Sequence, residues 1–245
     1  MKNVCIVVTK IGRNIVITET YKRKMFTHKN RSFVVREGTS DSFVVKEVSG
    51  SAYNKLKLYP QDVCLDIGLN IGVFSVIASE KCKFVYSFEP EPENFELASK
   101  NVSLNKRENV KLYNVAVIGN NDKKRYLSIN KKKNKGCHSL IPKRGRGSQT
   151  VDCKEINKII KETNPSVMKV DTEGAEFEIL MAIEPANIKK FREIIFEFHH
   201  AHLNDIDTRE KYRALISFLK KFFKKVHYRE ETKGAWVSNV YCTNA

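Results

Sequence analysis

The sequence predicts an α/β protein built on a parallel sheet, and three observations carry that prediction. Short, mostly apolar runs recur at 63–67, 84–88, 167–171 and 194–198; each is too short for a helix and largely hydrophobic, as a strand buried on both faces is. Segments with helical spacing of apolar residues, at 73–80, 91–105 and 209–225, separate or follow them. A glycine-punctuated turn at 66–72 joins the first core run to its helix. With 245 residues, 41% of them hydrophobic, the chain suits one domain with a sizeable core.

In chain order, β-rich runs at 4–9 and 14–20 flank Gly12 and read as a hairpin, the start of an accessory extension over residues 1–35. Residues 32–36 form a further strand. The pattern from 43 to 58 fits either strand then helix or mostly helix, with Thr39, Ser40 and Asp41 as turn or cap residues. At the core turn, Gly68 allows a sharp change of direction, and Gly72 lets the next helix pack close to the strand. Such turns serve several nucleoside-containing cofactors. Asp66 discriminates among them: a carboxylate before the first glycine repels a pyrophosphate but attracts an ammonium and a positive sulfur.

The strand at 84–88 ends in Glu89 and Pro90. An acid about 20 residues past the glycine turn is placed to accept both ribose hydroxyls of a nucleoside. The run 110–118 reads as a third strand, with Asn114, Val115 and Ala116 near its end on the side of the base. Residues 120–147 are rich in lysine and arginine, including Lys123, Lys131, Lys132, Lys133, Lys135, Arg144 and Arg146; they read as a basic loop or hairpin, a docking surface for an acidic acceptor or a disordered insertion.

The chemistry is expected further on. The strand at 167–171 ends in Asp171, followed by Glu173 and Glu176, and the strand at 194–198 carries Glu197, with His199 two residues on. Residues two apart project to one side of a strand, and in right-handed α/β topology these strands are neighbours. Asp171, Glu173, Glu197 and His199 therefore meet at the carboxyl edge. His199, with an ordinary pKa of about 6.5, is the natural general base, oriented by a carboxylate. His199, His200 and His202 with nearby acids could instead hold a divalent metal, but metal-free base catalysis is favoured. The tail at 209–225 reads as an amphipathic helix, followed by two closing strands at 225–229 and 235–242.

Lys and Arg total 44 against 28 Asp and Glu, a formal charge of +16 that favours anionic partners unless it reflects composition alone. No run approaches the roughly 20 apolar residues of a membrane span, and the apolar start at 4–8 is too brief for a secretory signal, so a cytoplasmic protein is expected. Cysteines 5, 64, 82, 137, 153 and 242 lack C-x-x-C spacing, which points away from a zinc site or disulfide framework.

Several motifs in one order resemble the FkbM family of S-adenosylmethionine-dependent methyltransferases: Asp66, Gly68, Asn70 and Gly72 with Phe74-Ser75, the block from Phe88-Glu89-Pro90 to Asn94-Phe95, Asn101 with Asn105, the segment 169–176, and Glu197 with His199. Arg36, Gly38, Thr39, Ser40, Asp41 and Tyr53 resemble the region ahead of the core. The resemblance spans about residues 36–200. It implies a class I methyltransferase fold over 36–245, Rossmann-like, with a seven-stranded sheet, helices on both faces and the basic insertion at 120–147. It also implies methylation of hydroxyls on sugars or related natural products. On this reading Asp66, Gly68, Asn70 and Gly72 hold the amino-acid end of S-adenosylmethionine, Glu89 and Pro90 the ribose, and Asn114, Val115 and Ala116 the adenine, while Asp171, Glu197 and His199 manage the acceptor. Leu69 departs mildly from the family's usual alanine. Two rivals remain: an RNA ribose or cap methyltransferase, and a catalytically silent nucleic-acid-binding module on the same fold.

Overall fold

The computed structural model describes residues 4–11, 14–50, 52–130, 134–142, 147–200, 206–228 and 237–245. Four strands come first: β1 (Val4–Ile11) pairs antiparallel with β2 (Asn14–Tyr21), and β3 (Arg23–His28) with β4 (Arg31–Arg36). Of the ambiguous stretch 43–58, the part to Gly50 belongs to helix α1 (Asp41–Gly50), and 52–58 run as turns and irregular chain. The core then follows as β5 (Val63–Ile67), α2 (Val73–Ala78), β6 (Phe84–Phe88), α3 (Pro92–Leu104) and β7 (Val110–Tyr113). Next come β8 (Ala116–Ile118), β9 (Lys124–Ile129), β10 (Gly147–Glu155), α4 (Ile156–Thr163) and β11 (Val167–Val170). The chain closes with α5 (Glu176–Met181), α6 (Pro185–Ile188), β12 (Glu193–His199), α7 (Ile206–Leu219), β13 (Lys225–His227) and β14 (Val237–Thr243).

Seven strands form the central sheet in the order β13-β14-β12-β11-β5-β6-β7. The strands from β12 to β7 pair in parallel, and β14 runs antiparallel between β12 and β13. This is the class I methyltransferase sheet, with its closing antiparallel hairpin as expected. Alternation along the strands divides the core. Leu65, Met168, Ile194 and Phe196 pack with α4, α5 and α7 on one face, while Cys64, Val85, Val167 and Ile195 pack with Tyr53 and Phe74 on the other.

Ahead of the core, the buried Arg36 is gripped by Asp41: Nε lies 2.8 Å from Oδ2 and an Nη 3.0 Å from Oδ1, and a further Nη bond of 2.7 Å reaches Asn94 Oδ1 on α3. Two buried charges survive because each is paired and hydrogen-bonded. Asp41 is therefore more than a turn residue, since it ties the lead-in to the core.

The expected strand over 110–118 is two strands. The side chain of Asn114 donates to the carbonyls of Glu89 (2.8 Å) and Pro90 (3.2 Å), and the chain leaves the central sheet there. β8 instead joins a second sheet in the order β8-β10-β9. Within it, β9 and β10 pair antiparallel, so the basic segment forms a hairpin, as one of its two readings had it. Lys131, Lys132, Lys133, Arg144 and Arg146 lie outside the described residues.

Candidate functional site

A cavity opens where β5, β6 and β11 end, lined by Gly68, Asn70, Glu89, Pro90, Asp171 and Glu197 among others. The turn that shapes it depends on glycine. Gly68 has φ +85°, and a Cβ there would fall 1.7 Å from the carbonyl oxygen of Asp171, a distance no side chain tolerates. A Cβ on Gly72, at φ +87°, would lie 3.2 Å from Ala98 Cβ. Its close approach is thus to helix α3, and not to the strand as expected.

Glu89 is buried at the tip of β6, where Oε2 accepts from Asn70 N at 2.7 Å and Oε1 from Glu91 N at 3.0 Å. Burial pushes its carboxyl up to about 8, against the pull of those two amides. The N-cap of α3 is Glu91, whose side chain accepts from Asn94 N, so Glu89 is left facing the cavity.

Asp66 departs from expectation. It is fully buried and does not line the cavity. Its Oδ1 lies 3.1 Å from the ammonium of Lys169, its register partner on β11, and its Oδ2 accepts from Ser75 Oγ at 2.5 Å. Burial raises its pKa from the ordinary value, with Lys169 opposing. Lys169, 3% exposed along its length, also donates to the carbonyl of Gly68 at 2.6 Å, so the pair braces the turn from beneath. On the base side only Ala116 of the three expected residues lines the cavity. Asn114 bridges backbone carbonyls and Val115 packs against the core. Val117, together with Leu127, His138 and Leu140 from the described part of the basic segment, also lines this cavity.

The ends of β11 and β12 bring the expected acids together. The Tyr53 hydroxyl lies 2.9 Å from Asp171 Oδ2 and 3.2 Å from Glu197 Oε1, with one proton to donate between them. Burial, then the charges of Asp171 and Glu197, push that phenol well above its ordinary pKa. Burial and the neighbouring Asp171 likewise push Glu197 up to about 7.

His199 behaves differently from expectation. It does not line the cavity. Its Nδ1 lies 3.1 Å from Oε1 of the buried Glu176, and its Nε2 lies 3.7 Å from Glu173 and 3.9 Å from Asp171. Burial works to lower its pKa, but the hydrogen bond to Glu176 and the surrounding carboxylates prevail and push it up to about 10. An imidazole held as the cation at neutral pH has no lone pair free to accept a proton, which removes the ground for naming it the base. Glu176 is fixed in turn by Thr172 N (2.9 Å), Thr172 Oγ1 (2.9 Å) and Gly174 N (3.0 Å).

The alternative histidine cluster is only partly within the described residues. His200 faces Ser238 Oγ at 2.9 Å and Tyr212, while His202 lies outside the described residues. A different trio comes close: Asp171, Glu197 and His199 each present a ligand atom within 4.8 Å of the others. Tyr53, Lys169 and Glu176 carry parts of the site that residue-level reading had not assigned. Lys169 had a visible signal, a lysine inside an apolar strand run. Leu127 and His138 had none.

A model of the FkbM methyltransferase domain matches residues 66–229. The chain belongs to the FkbM family of S-adenosylmethionine-dependent methyltransferases. Every motif from Asp66 to His199 falls inside the match, and Arg36, Asp41 and Tyr53 precede it. This FkbM chain is 25% identical over 190 residues to the methyltransferase SdnD of Sordaria araneosa, covering 63% of this chain and 73% of that protein. It is 27% identical over 141 residues to the hexuronic acid methyltransferase AglP of Haloferax volcanii, spanning 56% of each. The solved FkbM methyltransferase of Methylobacillus flagellatus aligns with a TM-score of 0.48 at 14% identity, over 77% of this chain and 45% of that one. Among the described residues, no helix is long and apolar enough to cross a membrane.

Proposed function

We propose that this methyltransferase acts on a sugar hydroxyl and that Glu197 accepts the hydroxyl proton. The observation that carries the proposal is position: Glu197 lines the cavity beside Gly68 and Glu89 and also lines a second groove, which shares Glu47 and Ala52 with it. A group at the junction of two cavities can touch a cofactor in one and an acceptor in the other. Its pKa of about 7 suits a base working near neutrality.

The first cavity has the donor set that S-adenosylmethionine requires. Glu89 would accept from the ribose hydroxyls, Ala116, Val117, Leu127 and Leu140 would lie along the adenine, and Asn70 and the turn at Gly68 would face the amino-acid end. When bound, the cofactor supplies an electrophilic methyl group on a positive sulfur. Asp171 and Glu197 set negative charge toward that part of the cavity, and Tyr53 holds both carboxylates in place. His199, as an imidazolium on Glu176, fixes the end of β12 and balances the acids. An alcohol is a weak nucleophile until its proton leaves, and Glu197 is the group placed to take it.

AglP, which acts on a hexuronic acid by its name, supports a sugar as acceptor. On this reading residues 1–35 are an extension to a catalytic domain over 36–245. Incubation with labelled S-adenosylmethionine and separate glycan, lipid and RNA pools tests the assignment: label is expected in the glycan pool, and label in RNA alone would overturn the sugar reading. The proximity of Asp171, Glu197 and His199 favours one second reading, a divalent metal that lowers the hydroxyl's pKa. Chelation that abolishes transfer, with recovery on adding metal, would select it.

A further inference from the structure

The second groove is built from the end of the sheet. Ile195 and Glu197 on β12, Asn239 and Tyr241 on β14 and His227 on β13 line it together. Register explains why: Glu197 pairs with Asn239, Ile195 with Tyr241 and Tyr241 with His227, so these alternate residues share one face. The intervening residues Phe196, Phe198, Val240 and Cys242 fill the core under α7 on the opposite face. On the groove side, α1 contributes only its border, through Lys46, Glu47 and Gly50.

Its lining has an order. At the inner end, Glu47, Ala52 and Glu197 are shared with the cofactor cavity. Along the floor, the rings of His227 and Tyr241 stack at 5.7 Å with 20° between their planes. Lys46 and Lys55 also line the groove. Lys55 is exposed and makes no hydrogen bond or ion pair among the described residues, while Lys46 lies 5.8 Å over the Phe26 ring, a contact that leaves its charge available. A concave site with aromatic lining and a few convergent polar groups is the usual form of a small-ligand site.

We propose that this groove is the acceptor site and that it takes a pyranose bearing a carboxylate. The apolar face of the ring lies on the His227–Tyr241 pair, Asn239 meets ring hydroxyls, the carboxylate pairs with Lys55, and the reacting hydroxyl reaches Glu197. The acids at the inner end exclude the carboxylate from the reacting position, so the cationic lysines set which end enters. A lysine with no internal partner gains a charge-assisted hydrogen bond from such a ligand and gives up only bonds to water.

The inference rests on the sugar reading above, and the test separates the two. The full chain, saturated with S-adenosylhomocysteine, is titrated with methyl α-D-glucopyranosiduronate and with neutral methyl α-D-glucopyranoside. The uronide is expected to bind at least about tenfold more tightly, a gap of about 1.4 kcal/mol. Lys55→Glu should remove that preference, and His227→Ala should weaken both sugars, with S-adenosylhomocysteine affinity within about twofold of the parent. Equal binding of the two sugars, or a preference untouched by Lys55→Glu, overturns the groove assignment even if glycans accept methyl groups. If neither sugar binds and label from S-adenosylmethionine enters only RNA, the sugar reading falls as well.

Discussion

Asp66 and Glu89 stand at the ends of β5 and β6; Asp171 and Glu197 stand at the ends of β11 and β12, in the same sheet. All four are acids at the carboxyl edge of the sheet, although Asp66 lies beneath the cavity, and they are held in different ways. The first two are fastened by groups that do not titrate near neutrality: Asp66 by Lys169 and Ser75, and Glu89 by two backbone amides. The second two lean on each other through one phenolic proton, and His199 beside them is itself held by a third acid. Fixed partners suit binding, because the geometry is settled before a ligand arrives. Shared protons suit transfer, because the charge can move. On the proposed function, the two halves of one strand edge divide the work.

The largest expected effect breaks the fastened half. Lys169→Met leaves the buried Asp66 without its counter-charge, at a cost of about 3–5 kcal/mol, and should appear as a fall in the midpoint of denaturant unfolding. Adding Asp66→Asn should recover most of the loss. A single variant as stable as the parent would mean that the pair does not brace the turn.

Next, Glu89→Ala should weaken S-adenosylhomocysteine binding by about 10- to 150-fold in calorimetry, from the loss of a hydrogen-bond partner worth about 1.5–3 kcal/mol when charged. Unchanged affinity would remove Glu89 from the cradle.

A smaller effect sharpens the same point. The Glu89 carboxyl stands at about 8, and it accepts both ribose hydroxyls only when ionised, so binding should release a proton. Affinity for S-adenosylhomocysteine should therefore tighten by up to about tenfold as pH rises from 7 to about 9, then level off. The slope should vanish in Glu89→Gln.

Much of this division was legible in the sequence. Mostly apolar runs marked the central strands, and acids placed just after them marked the edge. What periodicity could not supply was direction. Strand alternation puts Asp66 on a face, but only the register against β11 reveals that Lys169 occupies the same face and claims it. Asn114 reads as part of a strand until its side chain is seen to bind the Glu89 and Pro90 carbonyls, which ends β7. The lining supplied by Leu127, His138 and Leu140 joins distant parts of a hairpin to the cavity, a contact with no local pattern. His199 was rightly placed among acids, but its role turned on Glu176, whose approach depends on how α5 packs.

The most direct test of the division is one variant with two readouts. Glu197→Gln keeps the shape of the side chain and removes the base, so single-turnover methyl transfer should fall by about 100- to 10,000-fold, while S-adenosylhomocysteine affinity stays within about twofold of the parent. Transfer that continues at nearly the parental rate, or affinity that falls in step with the rate, would contradict the assignment of binding to one pair of strand ends and proton transfer to the other.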